Sequence, residues 1–268
     1  MKSIQWRLTN EGREISMAPS NGNPAYVQKE RRPNAKLRLF CFTYAGASAQ
    51  AFMNWIQYVP DFIEVIGFEL PGHGRRLIDG KPLRTYQEAA AYIADNLNPA
   101  LGPYALFGHC LGGVLAYEAT RILSSRGSRL PLHLFTSGAR GPHQGIPIAD
   151  VNSMNDEQFI EHFIRAYGAS MAVLQNPQMK PLVLPVVRAD AYMTQTYSYS
   201  SGAPVSYAIT AVAGEQDADV NLEHLKGWKQ HTTGPLTTQL YEGDHFFFLQ
   251  SAPQMLAEFS KQLEAYLN

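Results

Sequence analysis

The feature that most constrains this chain is a short glycine-rich turn, Gly108-His109-Cys110-Leu111-Gly112-Gly113, between two apolar segments. The run before it, Tyr104 to Phe107, has the length of a buried strand, and the run after it, Val114 to Leu123, has helical spacing. This is the pattern of a nucleophile elbow with cysteine where serine is usual. The elbow holds its nucleophile in a strained backbone conformation at a helix N-terminus, which favours a thiolate. The turn therefore indicates covalent acyl chemistry through sulfur, with a purely structural turn as the alternative.

Short apolar runs alternate with helical patterns along the chain, which is typical of βαβ units and a mainly parallel sheet flanked by helices. Strands are predicted at Lys36 to Thr43, Glu64 to Leu70, Tyr104 to Phe107, Leu132 to Ser137, Ser206 to Val212 and Thr237 to Tyr241. Helices are predicted at Tyr86 to Leu97, Gly112 to Ser124, Asp156 to Tyr167 and Pro253 to Leu267, the first with Thr85 as N-cap and Glu88 as its capping-box partner. The predicted fold class is α/β, with a polar N-terminal extension over 1–35 and a single domain over 36–268.

The interval 141–204 interrupts this alternation, because it carries helical patterns and no clear strand. An insertion between two sheet strands lies over the carboxyl edge of the sheet, where ligands bind in folds of this class. We therefore predict a helical lid; a helical elaboration packed on the sheet is the alternative. Flexible side chains suit variable acyl groups, and the residues predicted to line a substrate channel under the lid are Met171, Val173, Leu174, Met179 and Tyr192.

Two further side chains follow predicted strands and complete a catalytic triad with Cys110. Asp217 comes after the strand that ends at Val212, with Asp219 as the second choice, and His245 comes after the last strand. The order nucleophile, acid, histidine is the order that an elbow enzyme requires. His231 is interpreted as solvated, and His109 as a packing or hydrogen-bonding residue.

An acyl-transfer site also needs backbone N–H groups that stabilise the oxyanion of the tetrahedral intermediate. One is expected from Leu111, which follows the nucleophile directly. The loop after the first long strand, Tyr44 to Ala49, contains small residues that allow close backbone approach, and we expect the second N–H from Ala45. The same small residues would also suit a plain tight turn.

Composition excludes several other classes of protein. The 268 residues carry a net charge of −1, so neither a nucleic-acid footprint nor a basic membrane tether is indicated. The two cysteines, Cys41 and Cys110, make neither a disulfide scaffold nor a zinc-ligand pattern, which favours a reducing compartment. Without a signal-peptide pattern or a run of 18 apolar residues, we expect a cytoplasmic protein. Separately, we expect a monomer and no metal or other cofactor.

Six segments in order resemble the type II thioesterases that accompany nonribosomal peptide and polyketide synthases. They are Phe42 to Ala47, Leu70 to Arg75, the elbow, Leu184 to Asp190, Gly214 to Asp217 and Gly243 to Phe247. The resemblance covers about residues 37–267 and implies an α/β-hydrolase fold that acts on acyl or aminoacyl thioesters of carrier-protein phosphopantetheine. The chain departs from the family at Cys110, where serine is usual, and at Ala47, where a second glycine is common.

The resemblance and the residues together predict a thioesterase that works through an acyl-Cys110 intermediate. Because acylation of a cysteine exchanges one thioester for another, a cysteine-dependent shuttle that moves aminoacyl or acyl groups between carrier proteins is the first alternative. A non-catalytic carrier-binding module and a small-molecule ester hydrolase are the others. The sequence motif alone does not distinguish a native Cys110 from an introduced Ser-to-Cys change.

Overall fold

A seven-stranded sheet forms the centre of the protein in a computed structural model that describes residues 22–145, 149–167 and 173–268. The strands are β1 (Tyr26–Val27), β2 (Leu37–Phe42), β3 (Ile63–Phe68), β4 (Tyr104–His109), β5 (His133–Ser137), β6 (Ala208–Gly214) and β7 (Leu236–Tyr241). Their order in the sheet is β1-β3-β2-β4-β5-β6-β7, and every neighbouring pair is parallel except β1 with β3. The predicted α/β class with a mainly parallel sheet is confirmed.

Helices cover both faces of this sheet, as the burial of its central strands requires. The helices are α1 (Tyr86–Asn96), α2 (Leu111–Ser125), α3 (Asp156–Tyr167), α4 (Lys180–Thr196), α5 (Leu222–Lys226) and α6 (Phe248–Glu264), with a 3₁₀ segment at Ala49–Gln57. Alternate residues of β2 face opposite sides, since Phe40 and Phe42 pack in the core beside α1 and α2. Leu39 and Cys41 pack in the second core, beside the 3₁₀ segment and α6.

The strand that the sequence pattern missed is β1. Tyr26 and Val27 are buried and pair with Phe68 and Gly67 of β3, although they precede the predicted domain start at residue 36. A two-residue strand is too short to show an alternating pattern. The last helix begins at Phe248 rather than at the predicted Pro253, because Phe248 is fully buried in the aromatic core and Pro253 lies inside the helix.

The N-terminus of α1 is capped by Thr85, as predicted. The Thr85 hydroxyl accepts a hydrogen bond from the N–H of Glu88 over 3.1 Å. The Glu88 carboxylate accepts from the N–H of Arg84 over 3.3 Å and not from that of Thr85, so the reciprocal half of the predicted capping box is shifted by one residue.

The interval 141–204 contains α3 and α4 and no strand among its described residues. These helices share a small core of their own, in which Phe159, Phe163 and Leu174 pack against Leu184 and Val187. None of the described helices is long and apolar enough to cross a bilayer.

Candidate active site

The elbow places Cys110 between the end of β4 and the start of α2. Its backbone has φ 54° and ψ −118°, and among the described residues no other non-glycine residue has a positive φ. Such a conformation costs about 1–3 kcal/mol and persists only where its surroundings impose it. A Cβ at Gly108 would lie 2.3 Å from the carbonyl oxygen of Gly112, and one at Gly112 would lie 2.5 Å from that of Phe42. The glycines therefore allow the backbone contacts that hold the thiol at the strand-to-helix turn.

His245 and Asp217 lie in the loops that follow β7 and β6. His245 Nδ1–H donates to Asp217 Oδ2 over 2.8 Å, and both side chains are largely or completely buried. The other carboxylate oxygen of Asp217 accepts from the backbone N–H groups of Asp219 and Val220, at 2.9 and 3.1 Å. Of the two candidate carboxylates, Asp217 is thus the one that contacts His245. Asp219 supplies a backbone N–H that helps to hold it.

The charges of this pair are set by their contacts. Burial alone would lower the pKa of His245, but the hydrogen bond to Asp217 and the nearby Cys110 sulfur outweigh it and raise the pKa to about 10. Burial opposes ionisation of Asp217, yet the hydrogen bond and the charge of His245 lower the pKa of its carboxyl. His245 Nε2 is buried and makes no hydrogen bond with the described residues. Its free lone pair or proton is therefore available to a reacting group.

His109 packs beside the catalytic imidazole, as the interpretation of packing or hydrogen bonding expects. Its Nδ1 and the Ser137 hydroxyl are 2.9 Å apart, and its ring centroid is 4.9 Å from that of His245. Complete burial, and then the charge of His245, lower the pKa of His109 well below its ordinary value.

A narrow pocket connects these groups. The cavity has a volume of about 70 Å³. Its wall on the side of the sheet is formed by Tyr44, Ala45, Cys110, His245 and Phe246. Ala45 and Leu111 are the predicted oxyanion donors. Leu111 is the first residue of α2, so its N–H has no acceptor within the helix, and no described residue accepts from the N–H of Ala45. Both N–H groups are free to bind an oxyanion.

Helices α3 and α4 form the other wall of the pocket, through Phe163, Tyr167, Ala191 and Thr194. The sequence analysis missed all four, because apolar periodicity shows that a helix has a buried face but does not show which cavity that face meets.

The predicted channel residues lie elsewhere. Leu174 and Val173 pack in the small core of the lid, Met179 is exposed before the first turn of α4, and Tyr192 lies under the Arg84 guanidinium at 4.8 Å. None of these four residues lines the pocket around Cys110, whereas the smaller Ala191 and Thr194 of α4 do. Met171 lies outside the described residues.

A buried ion pair that sequence reasoning also missed lies behind the oxyanion loop. Asp190 of α4 accepts the backbone N–H of Gly46 over 2.7 Å and contacts His73 Nε2 over 2.8 Å. Burial lowers the pKa of His73, but the Asp190 carboxylate outweighs it and raises the pKa to about 9. The available signal was Asp190 between two alanines, in a segment from Leu184 to Ala191 whose other charged residue is Arg188.

The interpretation of His231 as solvated is wrong. Its side chain is 1% exposed and hydrogen-bonds with His143 over 2.8 Å and with the Tyr117 hydroxyl over 3.3 Å. The short polar stretch around it gave no sign that Trp228 would bury this turn against α2. No cluster of described His, Cys, Asp and Glu side chains could hold a metal ion.

Comparison with known proteins gives one family. Residues 37–263 match the sequence model of the thioesterase domain. The gramicidin S biosynthesis protein GrsT of Aneurinibacillus migulanus is 34% identical over 249 residues, which are 92% of this chain and 97% of the relative.

Solved structures agree with this sequence match. RedJ, a thioesterase from the prodiginine biosynthetic pathway of Streptomyces coelicolor, superposes with a TM-score of 0.78 at 31% identity over 94% of this chain and 96% of its own. YbtT, a type II thioesterase from the yersiniabactin pathway, has a TM-score of 0.75 at 28% identity over 85% of this chain and 92% of its own. The fold is the α/β-hydrolase fold, and the chain belongs to the thioesterase domain family, with type II thioesterases of nonribosomal peptide and polyketide pathways among its relatives.

Proposed function

We propose that this enzyme cleaves acyl or aminoacyl thioesters on the phosphopantetheine arm of carrier proteins through an acyl-Cys110 intermediate. The observation that carries the proposal is one pocket in which a strained cysteine at a helix N-terminus lies beside an imidazole bound to a buried aspartate. Relatives and solved neighbours named as thioesterases of peptide and polyketide pathways support the substrate class.

Acylation begins with attack of the Cys110 sulfur on the thioester carbonyl. The thiol proton passes to His245 Nε2 before the attack, as the raised pKa of this imidazole favours, and Asp217 holds the ring so that Nδ1–H faces its carboxylate. The new S–C bond to Cys110 forms first, as the carbonyl π electrons move onto the oxygen and give a tetrahedral intermediate. When this intermediate collapses, the C=O bond re-forms and the S–C bond to phosphopantetheine breaks. His245 then gives its proton to the leaving pantetheine thiolate.

The tetrahedral intermediate carries a negative oxygen, which the N–H groups of Leu111 and Ala45 would bind. Donors that are fixed before the reaction stabilise this charge without reorganising, and loss of one donor from such a site costs about 10²- to 10³-fold in rate. The free N–H of Leu111 also belongs to the positive end of the α2 dipole.

Deacylation returns the enzyme to its starting state. Water attacks the acyl-Cys110 carbonyl, His245 takes the water proton, and the proton passes to the Cys110 sulfur as the thioester breaks. Hydrolysis is the outcome favoured by the relatives, which are named as thioesterases.

A second outcome is favoured by one feature of this chain, the sulfur at position 110. Because exchange between thioesters changes the free energy little, a carrier-protein thiol could accept the acyl group in place of water. The enzyme would then shuttle acyl or aminoacyl groups between carrier proteins.

Intact-mass spectrometry of the enzyme mixed with an acetyl-loaded carrier protein tests the intermediate. We expect an acetyl increment that Cys110→Ala abolishes and that Cys41→Ala preserves. Cys41 is a matched control because it is fully buried and burial raises the pKa of its thiol well above the ordinary value. No increment on the wild-type enzyme under turnover conditions, or unchanged turnover by Cys110→Ala, would contradict the proposal.

The fate of the acyl group is then followed after removal of the donor carrier. Decay of acetyl-Cys110 to acetate at a rate that an empty acceptor carrier does not change supports hydrolysis. A stable intermediate that only the acceptor carrier discharges supports the shuttle. Alkylation by iodoacetamide at neutral pH separates both from a non-catalytic binding module, in which Cys110 would react as slowly as an ordinary buried thiol.

A further inference from the structure

A contact between the lid and the oxyanion loop lies outside the catalytic triad. Asp190, in the third turn of α4, is completely buried. Its Oδ2 accepts the N–H of Gly46 over 2.7 Å and lies 2.8 Å from His73 Nε2. One carboxylate oxygen thus joins three segments that are far apart in the sequence.

The protonation state of His73 follows from its two partners. Nδ1 lies 3.1 Å from the carbonyl oxygen of Pro71, and Nε2 faces the Asp190 carboxylate. Both oxygens only accept hydrogen bonds, so both ring nitrogens donate and the imidazole is a cation. Because a buried carboxylate is tolerated when it is paired and hydrogen-bonded, His73 allows Asp190 to keep its charge beneath the loop.

The oxyanion loop is held in place on both sides of Ala45, the proposed oxyanion donor. On one side the Tyr44 ring packs against His109 and Phe246, with centroids 5.8 and 5.0 Å apart. On the other side Gly46 is bound by Asp190. A Cβ on Gly46, which has φ +74°, would lie 2.5 Å from Cγ2 of Val187, one turn earlier in α4. Ala45 is the residue between these anchors, and it lines the pocket with Cys110.

We propose that Asp190 is a positioning residue that sets the Ala45 N–H for the oxyanion. The inference rests on the proposed acyl transfer through Cys110. It assigns to the lid a part in the chemical step, in addition to forming the wall of the pocket. Asp190 acts through the backbone of Gly46 and touches neither the substrate nor the sulfur.

The test compares two reactions of the same sulfur. Acylation by acetyl-pantetheine passes through an oxyanion, whereas alkylation by iodoacetamide displaces iodide at a saturated carbon and forms none. We expect Asp190→Asn to slow acylation at least about tenfold, because a displaced oxyanion donor loses part of the 10²- to 10³-fold effect of its removal. Alkylation should stay within about twofold of the wild-type rate, since the Cys110–His245–Asp217 arrangement is unchanged.

Asp156→Asn is the matched control, because it makes the same chemical change in the lid. Asp156 is partly exposed in α3 and pairs with Arg188 over 2.8 Å, away from the oxyanion loop. Both of its rates should match those of the wild-type enzyme. If Asp190→Asn does not fold, Asp190→Glu replaces it, which keeps the negative charge beside His73 while its longer side chain displaces Gly46. It too should slow acylation and spare alkylation.

Three results would overturn the role of Asp190. The first is a wild-type rate of acylation in Asp190→Asn, or in Asp190→Glu where that variant replaces it. The second is a fall of acylation and alkylation by the same factor in the Asp190 variant. The third is a loss of acylation in Asp156→Asn as large as that in the Asp190 variant. A wild-type enzyme that acetyl-pantetheine and acetyl-loaded carrier both fail to acylate at Cys110 contradicts the proposed function itself. The two failures are therefore distinguishable.

Discussion

Two imidazoles beside Cys110 carry different charges although their ring centroids are only 4.9 Å apart. Hydrogen bonding to Asp217 keeps His245 ready to hold a proton, whereas burial keeps His109 neutral. His109 also has its Nδ1 committed to Ser137. The neighbour of the nucleophile therefore supports the ring of His245 without competing with it for the proton.

The carboxylate that orients His245 gives a residue-scale prediction. His245→Ala should lower kcat by about 10²- to 10⁴-fold, the usual contribution of an acid–base group, and Asp217→Asn should lower it somewhat less. A thiolate at a helix N-terminus is partly activated already, so a cysteine triad depends less on its acid than a serine triad does. Steady-state hydrolysis of an acyl-loaded carrier measures both effects.

Asp219→Asn is the control for this pair, since Asp219 lies two residues away and lines the same pocket, whereas the carboxylate that binds the imidazole is that of Asp217. Its kcat should change less than about threefold, because only its backbone N–H supports Asp217. A larger loss of kcat in Asp219→Asn than in Asp217→Asn would mean that the wrong carboxylate has been assigned.

At the scale of single elements, α1 depends on a cap that the sequence already indicated. Thr85→Ala removes the acceptor for the Glu88 N–H and should lower the free energy of unfolding by about 1 kcal/mol. Thr85→Ser keeps the hydroxyl and should lose at most a few tenths of a kcal/mol by the same scale. Chemical denaturation of the three proteins measures the difference, and equal losses in both variants would contradict the capping role.

The lid helices give a prediction about acyl-group selection. Ala191 is buried in α4 and lines the pocket, so Ala191→Leu should lower kcat/KM for a hexanoyl carrier substrate about tenfold or more relative to acetyl, by filling space that the longer chain needs. Alkylation of Cys110 by iodoacetamide should not change. Competition between the two substrates measures the ratio.

Met179→Leu is the control for this substitution, since Met179 precedes the first turn of α4 and its side chain is exposed. It should leave the ratio of the two substrates unchanged. An unchanged ratio in Ala191→Leu would show that the acyl chain does not occupy this wall of the pocket.

Which elements could be predicted from sequence follows from how local their signals are. Cys110 directly follows the apolar run of β4, and His245 follows β7, which begins after Pro235 and ends before Gly243. The existence of both strands and the order of the triad were therefore readable. The pairing of Asp190 with His73 was not, because the two residues are 117 positions apart and only tertiary packing brings them together. Which face of α4 meets the pocket could not be predicted either, since apolar residues of this helix pack both in the lid core and along the pocket.

At the scale of the whole molecule, the buried histidines predict that the stability of the fold passes through a maximum as pH changes, because some of them are charged and others neutral. The raised pKa values of His73 and His245, about 9 and 10, give stabilisation that is complete below the ordinary value of 6.5 and is lost as pH rises through 9 to 10. Burial lowers the pKa of His133 and of His231 to about 4, so their contribution is complete above 6.5 and is lost as pH falls through 4. We therefore expect the highest Tm near pH 6.5.

Two variants separate the arms of this profile. His73→Gln should flatten the alkaline arm and His133→Gln the acid arm, with each pH unit removing at most about 1.4 kcal/mol per group. Calorimetric Tm values between pH 4 and 10 measure both slopes. A wild-type Tm that rises steadily from pH 6.5 to 10 would contradict the charged state of His73 and His245.

The contact between Asp190, Gly46 and His73 has a consequence for how relatives of this enzyme diverge. A chimaera that receives a foreign lid gains new walls for the acyl group but also a new residue under the oxyanion loop. Exchange of lids between relatives should therefore preserve turnover only when the residues that contact position 190, at positions 46 and 73, are exchanged together with the lid. Across descendants of one ancestor, we expect these three positions to be inherited as a set, while the residues that face the acyl chain vary independently.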